Sequence, residues 1–358
     1  MKRMLMGLCV VLALAEGAEA CSTFCIRDGA LVFGRNYDWS VEDCLVVVNK
    51  AGAEKTSMVR QNPVRWTSRY GSVTFNQYGC EFPTGGINEA GLVVEVMWLE
   101  GSEYPQPDER PELSTLQWIQ YQLDNSTTVS DVIGSDVRVR ISPLASAPLH
   151  YLVADADGDV ASIEFLNGEL VVHTGEDLPY AALTNHTYDA SARYAAQRDG
   201  LGGPRAMEPG GSSLARFARA AARLSAYKAD SSEQAVEQAF ALLEDVAQGA
   251  STVWSIVYDI DARVIHARTH SNPAVKTLAL EALNFGCDAP VQVVDLNRAR
   301  PGNLLGQLTA YTEKANYELM RSSFAQTEFL HSTPKDRIRT LARYPATVTC
   351  LPREHSRR

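Results

Sequence analysis

The sequence predicts an α+β fold in which antiparallel sheets are layered against segregated helices, and three observations carry that reading. Strand-like and helix-like segments come in blocks rather than in the regular alternation of a parallel α/β sheet. Asp28-Gly29, Asp157-Gly158 and Asn167-Gly168 stand between neighbouring strand-like segments, where hairpin turns belong. No internal repeat or clean linker divides the chain, so residues 21–358 read as a single domain behind a leader at 1–20.

In chain order, "STFCIRD" and "LVFGRNYDW" flank Asp28-Gly29 as the two arms of a hairpin. "CLVVVNK" follows as an apolar, β-branched strand, and "RYGSVTFNQYG" as an alternating one. "PTGGINEA" reads as a Gly- and Asn-rich turn before the strand "GLVVEVMWL" (91–99). Residues 112–136 turn helical, with Leu113, Leu116, Ile119, Tyr121 and Leu123 near a 3.6-residue spacing and Ser114-Thr115 able to cap the start. "LHYLVADA", "DVASIEFL" and "ELVVHT" then form a β-meander. The Gly- and Pro-rich stretch 198–213 reads as a surface loop. Two helices (213–227 and 231–248) lead to the strands "TVWSIVYDID" and "RVIHART". "LALEAL" fits one more strand or a helical turn, and the last 60 residues look mainly helical and then irregular.

The chain has 358 residues, is 45% hydrophobic and 21% charged, and carries a net charge of −10 with no concentrated basic patch. Nucleic acid and anionic membrane surfaces are therefore poor partners. Lys2-Arg3, the apolar run Met4–Ala15 and Ala18-Glu19-Ala20 together make a signal peptide cut before Cys21. The apolar run is too short to cross a bilayer, which takes roughly 20 residues. These features predict an exported protein, periplasmic or secreted, with no stable membrane anchor. A lipoprotein signal would want an aliphatic residue and then a small or branched one ahead of the cysteine, where Ala18 and Glu19 stand.

Of the seven cysteines, Cys9 falls in the leader; Cys21, Cys25, Cys44, Cys80, Cys287 and Cys350 remain. An exported chain can bridge all six, unless Cys21 must stay free and leaves one unpaired. Cys25, Cys44 and Cys80 are expected to be buried or bridged, and the scattered spacing does not suit structural zinc.

A cysteine that becomes residue one has a chemistry no internal cysteine has. Its α-amino group, with a pKa of about 7.7–8.0, can take the proton of a thiol with a pKa of about 8.5. One residue then serves as nucleophile and base. A nearby cation would favour the thiolate, and a carboxylate would orient the amine. Arg35 and Asp38, 14 and 17 residues beyond Cys21, return toward it if the hairpin closes at Asp28-Gly29. The bland alternative is a solvated Arg/Asp pair, worth about 0–1 kcal/mol.

"CSTF…FGRNYDW" resembles the opening of the choloylglycine hydrolase and penicillin V acylase family, N-terminal-nucleophile hydrolases of linear amides. "RYGSVTF", "GGINEAGLVVEVMWL", "ALTNH", "SLARFARA" and "TVWSIVYD" continue the likeness over roughly residues 21–260, and the tail beyond about 290 adds little to it. The resemblance implies a four-layer αββα sandwich with two antiparallel sheets, a thioester formed on Cys21, Arg35 near the thiol and Asp38 near the amine. It implies an oxyanion-hole amide at Asn185, a supporting cation at Arg216, no cofactor, a small N-acyl amide substrate and a homo-oligomer, a tetramer in the family. Without it, Asn185 would be a turn residue and Arg216 a helix-surface cation. Where many members carry an asparagine in the strand after "NEAGL", this chain has Trp98, which leaves the missing amide to a backbone N–H or a water. Trp98 and Trp39 are expected to narrow the acyl pocket, against the plainer reading of core packing.

The resulting expectation is an exported cysteine amidohydrolase acting on penicillin V or an acyl-homoserine lactone. The alternatives are a conjugated bile salt hydrolase, or an inactive binding protein or lipoprotein of the same fold. His266 and His270 do not form a ligand pair, and Asp155, Asp157 and Asp159 read as a hairpin turn rather than a calcium loop.

Overall fold

A computed structural model describes residues 21–144, 147–228 and 231–350. The leader expected at 1–20 lies outside the described residues. Two large sheets dominate. A seven-stranded sheet runs, edge to edge, Ala182–Leu183, Ser22–Ile26, Val32–Asp38, Thr252–Asp259, Val264–Thr269, Lys276–Ala279, Gly302–Asn303. A nine-stranded sheet runs Glu169–Thr174, Val160–Leu166, Leu149–Ala154, Val93–Trp98, Gly85–Asn88, Ser72–Asn76, Leu45–Asn49, Gln292–Asp295, Thr309–Ala310. Every pairing in them is antiparallel save the parallel Lys276–Ala279 with Gly302–Asn303 at an edge.

The layers follow from which faces are apolar. The strands that meet between the sheets are buried along their whole length, and polar side chains such as Arg35, Asn36, Asp38 and Thr74 are buried among the apolar ones. Phe24, Val32 and Phe33 of the first sheet share a core with Val46, Val73, Phe75 and Leu152 of the second. Tyr258 takes the rings of Phe33 and Phe75 edge-on, each with centroids 6.2 Å away. Helices Ser213–Ala226 and Ser232–Asp245 cover the outer face of the seven-stranded sheet through Phe217, Ala221, Ala239 and Leu243. Helix Thr115–Asn125 covers the other sheet through Trp118, Ile119 and Leu123 against Val94, Tyr151 and Val153. The architecture is the expected αββα stack of two antiparallel sheets between helices. Among the described residues no helix is long and apolar enough to cross a membrane.

Most expected elements stand where the sequence places them, including the opening hairpin, the meander, and the Ser114 side chain as helix cap. Two readings are corrected: the helical stretch 112–136 begins with the strand Glu112–Leu113 and divides into helices Thr115–Asn125 and Val129–Ile133, and Gly85–Asn88 within "PTGGINEA" is a strand with the turn after it. Turn-forming residues are tolerated there because the site needs space. A Cβ on Gly85 would lie 1.9 Å from a carboxylate oxygen of Glu95. "LALEAL" resolves into both readings, with the strand Lys276–Ala279 running into a short 3₁₀ turn, Leu280–Ala282. Asp155 accepts backbone N–H bonds from Asp157 and Asp159, which makes that segment a turn, and no metal-holding cluster occurs among the described residues.

Cysteine usage is mixed. Cys287 and Cys350 form a disulfide, whereas Cys21, Cys25, Cys44 and Cys80 are buried thiols. Burial pushes the Cys25 thiol up to about 12 and those of Cys44 and Cys80 above their usual range.

Candidate active site

The opening hairpin sets the geometry. Ser22 pairs with Asn36 and Thr23 with Arg35, so Cys21 stands at the strand end where Asp38 arrives. The Cys21 side chain is buried (3% exposed), and its sulfur lies 3.9 Å from the backbone oxygen of Asp38. Burial raises the thiol pKa; Arg35, then Arg216, oppose that shift, while Asp38 adds to it.

Asp38 is buried, and Oδ1 accepts a hydrogen bond from the hydroxyl of Thr252 on the neighbouring strand. Oδ2 has no hydrogen-bond partner among the described residues. Burial pushes the carboxyl up to about 6, with the Thr252 bond, Arg216 and Arg35 opposing the rise. A buried acceptor left open is costly and needs an explanation.

Arg35 is not a free cation beside the thiol. Its guanidinium is buried against the carboxylate of Glu95, donates to the backbone oxygens of Thr84 (2.7 Å) and Val96 (3.0 Å), and lies 4.7 Å over the Tyr37 ring. Glu95 in turn accepts from the Tyr258 hydroxyl. The lone carboxylate within the apolar "VVEVMW" was the signal for this buried pair, and the sequence reading passed over it.

Arg216 sits in the first turn of helix Ser213–Ala226 and points inward, 1% exposed, rather than lying on the helix surface. It donates to the Cys21 carbonyl (2.7 Å), to the Ser22 hydroxyl (2.5 Å) and to Asn185 Oδ1 (2.9 Å). That last bond fixes which end of the Asn185 amide carries its donors, and Nδ2 faces the Trp98 carbonyl at 2.9 Å. An amide nitrogen has two N–H groups, so one remains for a ligand.

The loop carrying Asn185 is held from below by residues the sequence reading missed. Ser213 Oγ accepts the Asn185 backbone N–H at 2.8 Å. The buried His150 ring spans Glu164 Oε1 (3.0 Å) and the Thr184 carbonyl (2.6 Å), and Glu164 also accepts the Tyr188 N–H.

Cys21, Trp39 and Trp98 open onto one cavity of about 220 Å³, with Tyr37, Met97 and Leu149 on the same wall. The Trp39 and Trp98 rings lie 6.1 Å apart. Arg35, Asp38, Asn185 and Arg216 stand behind Cys21 and Trp98 instead of lining that space. Residues 320–341, from the tail that looked uninformative, supply much of the opposite wall.

Residues 21–293 match the profile of linear amide C–N hydrolases of the choloylglycine hydrolase family. The chain belongs to that family. Over 207 residues it is 32% identical to a penicillin V acylase of Pectobacterium atrosepticum, a match covering 53% of this chain and 54% of that relative. The alignment thus spans about half the length of the curated relative. The penicillin V acylase of Agrobacterium tumefaciens superposes with a TM-score of 0.72 at 26% identity, over 82% of this chain and 98% of that one. A conjugated bile acid hydrolase variant from Clostridium perfringens shares the fold, with a TM-score of 0.64 at 16% identity over 78% and 98% of the two chains. The family match begins at Cys21, the residue around which the site is built.

Proposed function

We propose that the protein is an exported amidohydrolase that cleaves a linear N-acyl amide through a thioester on Cys21, freed as an N-terminal residue by removal of residues 1–20. The observation that carries the reading is that Cys21 opens onto an apolar cavity while Arg216 bonds both the Cys21 carbonyl and Asn185, with Asp38 beside the thiol and its Oδ2 without a partner among the described residues. In this reading the α-amine of processed Cys21 is the donor for Asp38 Oδ2, which has no partner among the described residues.

The chemistry follows from those positions. The thiol proton moves to the α-amine, and Asp38 stabilises the resulting ammonium. The thiolate attacks the substrate carbonyl carbon, and the second N–H of Asn185 faces the developing oxyanion. Collapse expels the amine product, which takes the proton from the ammonium. The neutral amine then accepts a proton from water as the water attacks the thioester, releasing the carboxylic acid and the thiol. Arg216 positions both ends of this arrangement, through the Cys21 carbonyl and Asn185.

A cavity of about 220 Å³ lies below the roughly 300–1,000 Å³ that houses drug-sized ligands. This favours a single flat or unbranched acyl group, as in penicillin V or an acyl-homoserine lactone, over a four-ring bile acid. The test pairs the intact mass and N-terminal sequence of the exported protein with rates on phenoxyacetyl, long-chain acyl and glycocholate amides. A chain starting at Cys21 that turns over the first two classes is the expected result. Residues retained ahead of Cys21, a lipid on its sulfur, or a preference for glycocholate would overturn it.

A further inference from the structure

The cavity beside Cys21 has walls of two origins. Tyr37, Trp39 and Trp98 belong to the part of the chain that matches the family, which ends at residue 293. Met320, Phe324, Phe329, Leu330 and Leu341 come from beyond it, on helices Glu313–Gln326 and Lys335–Ala342 and the turn between them.

This outer wall is fastened to the body by its own bonds. Buried Asn316 accepts the Cys80 backbone N–H at 2.8 Å and donates to the Ala342 carbonyl at 3.0 Å, tying both helices to the core. Thr327 and the Tyr78 hydroxyl share a hydrogen bond of 3.0 Å, and Ser322 donates to Asp43 at 2.6 Å. Beyond the second helix, Thr349–Cys350 pairs with the strand Ala53–Thr56, and Cys350 is bridged to Cys287. The rings complete the closure. Phe324 lies 6.1 Å from Tyr78, and Phe329 makes a three-ring group with Trp39 (6.5 Å) and Trp98 (5.8 Å).

A wall held at so many points is built before substrate arrives, and it lines a cavity whose lining includes none of Asp38, Asn185 and Arg216. We propose that this C-terminal helical pair is the acyl-length selector of the enzyme, with Met320 and Phe324 limiting the length of an unbranched apolar acyl chain. The proposal rests on the amidohydrolase reading above and specifies its substrate as a linear acyl amide chosen by chain length.

The experiment measures kcat/KM on N-acyl amides of one amine, from butanoyl to tetradecanoyl, for the wild type, Phe324→Ala and Met320→Ala. Each shortened side chain should move the preferred acyl group two carbons longer. The rate ratio between those two lengths should rise about tenfold, since each buried methylene contributes ~0.8 kcal/mol. An unmoved optimum, with all lengths slowed alike, overturns the proposal. Phe329→Ala, at a ring 53% exposed, serves where the buried variants do not fold. Its loss should cut the discrimination between octanoyl and butanoyl about fivefold, and unchanged discrimination counts against the selector.

Binding of free fatty acids of the same lengths to the Cys21→Ser protein, by calorimetry, reads the wall without turnover. If no amide is hydrolysed, the amidohydrolase reading falls, and this series still decides the wall. A length optimum that Phe324→Ala shifts supports the selector; one that it leaves in place, or no length preference at all, overturns it.

Discussion

Replacing Thr252 with valine isolates the electrostatic demand of the site. The Thr252 hydroxyl donates to Asp38 Oδ1 inside the protein, and that bond opposes the burial that pushes the carboxyl toward about 6. A hydrogen bond to a charged group contributes about 1.5–3 kcal/mol, and one pKa unit corresponds to about 1.4 kcal/mol. Removing it should therefore raise the Asp38 pKa by about 1–2 units. The sign follows from the proposed chemistry, in which only ionised Asp38 stabilises the ammonium formed when the Cys21 amine takes the thiol proton. The acid limb of kcat/KM should therefore move toward neutral pH by that amount, with the rate largely recovered above the limb. The assay is a kcat/KM profile from pH 4 to 9 on a phenoxyacetyl amide for wild type, Thr252→Val and Thr252→Ser. Serine keeps the hydroxyl and should keep the wild-type limb. The valine change also strips the acceptor of the Gln248 backbone N–H, which lowers stability but has no reason to move a pH limb. A profile that drops in parallel at every pH, with its limb unmoved, would refute the assignment of Asp38.

Four further outcomes follow from the same geometry. Glu95→Gln leaves Arg35 buried without its counter-ion, so urea unfolding should register a loss of about 3–5 kcal/mol. If Asn185 is the oxyanion donor proposed above, Asn185→Ala should reduce kcat about 10²–10³-fold with little change in the unfolding midpoint. Reducing Cys287–Cys350, which closes a separation of 63 residues, should lower stability by about 4 kcal/mol on a chain-entropy basis, read as a fall in the guanidinium midpoint under a phosphine reductant. Brief iodoacetamide treatment of the native processed protein at pH 7.5, followed by peptide mapping, should modify Cys21 and spare Cys25, Cys44 and Cys80. All four thiols are buried and burial raises each of them, but Cys21 alone of the four lines the cavity through which the reagent can reach it.

Legibility differed with the range of the interaction. The Cys21–Asp38 relationship was readable because a hairpin is local: "CSTFCI", the Asp28-Gly29 turn and "VFGRNYD" fix the register, and the register brings Asp38 back to Cys21. Arg35 was readable as a cation near the site but not as the partner of Glu95. That pairing spans two sheets, and neither residue signals the other along the chain. "PTGGINEA" misled because Gly and Asn usually punctuate turns, whereas Gly85 here leaves room for the Glu95 carboxylate. Asn185 and Arg216 were located by family likeness alone. Their burial and their mutual bond arise from a loop and a helix 31 residues apart.

By itself, the sequence determined the layered antiparallel class and the polar pair one hairpin away from Cys21, and it raised the expectation of a leader ending there. These follow from side-chain periodicity, turn chemistry and short-range spacing, which are properties of neighbouring residues. Only the tertiary structure decided that Arg35 is neutralised by Glu95, that one oxygen of Asp38 has no partner among the described residues, that Arg216 orients Asn185, and that residues 320–341 close the cavity beside Cys21. Each of those depends on burial and on contacts between segments distant in the chain, where desolvation and close approach set the energy and no local pattern records the partner.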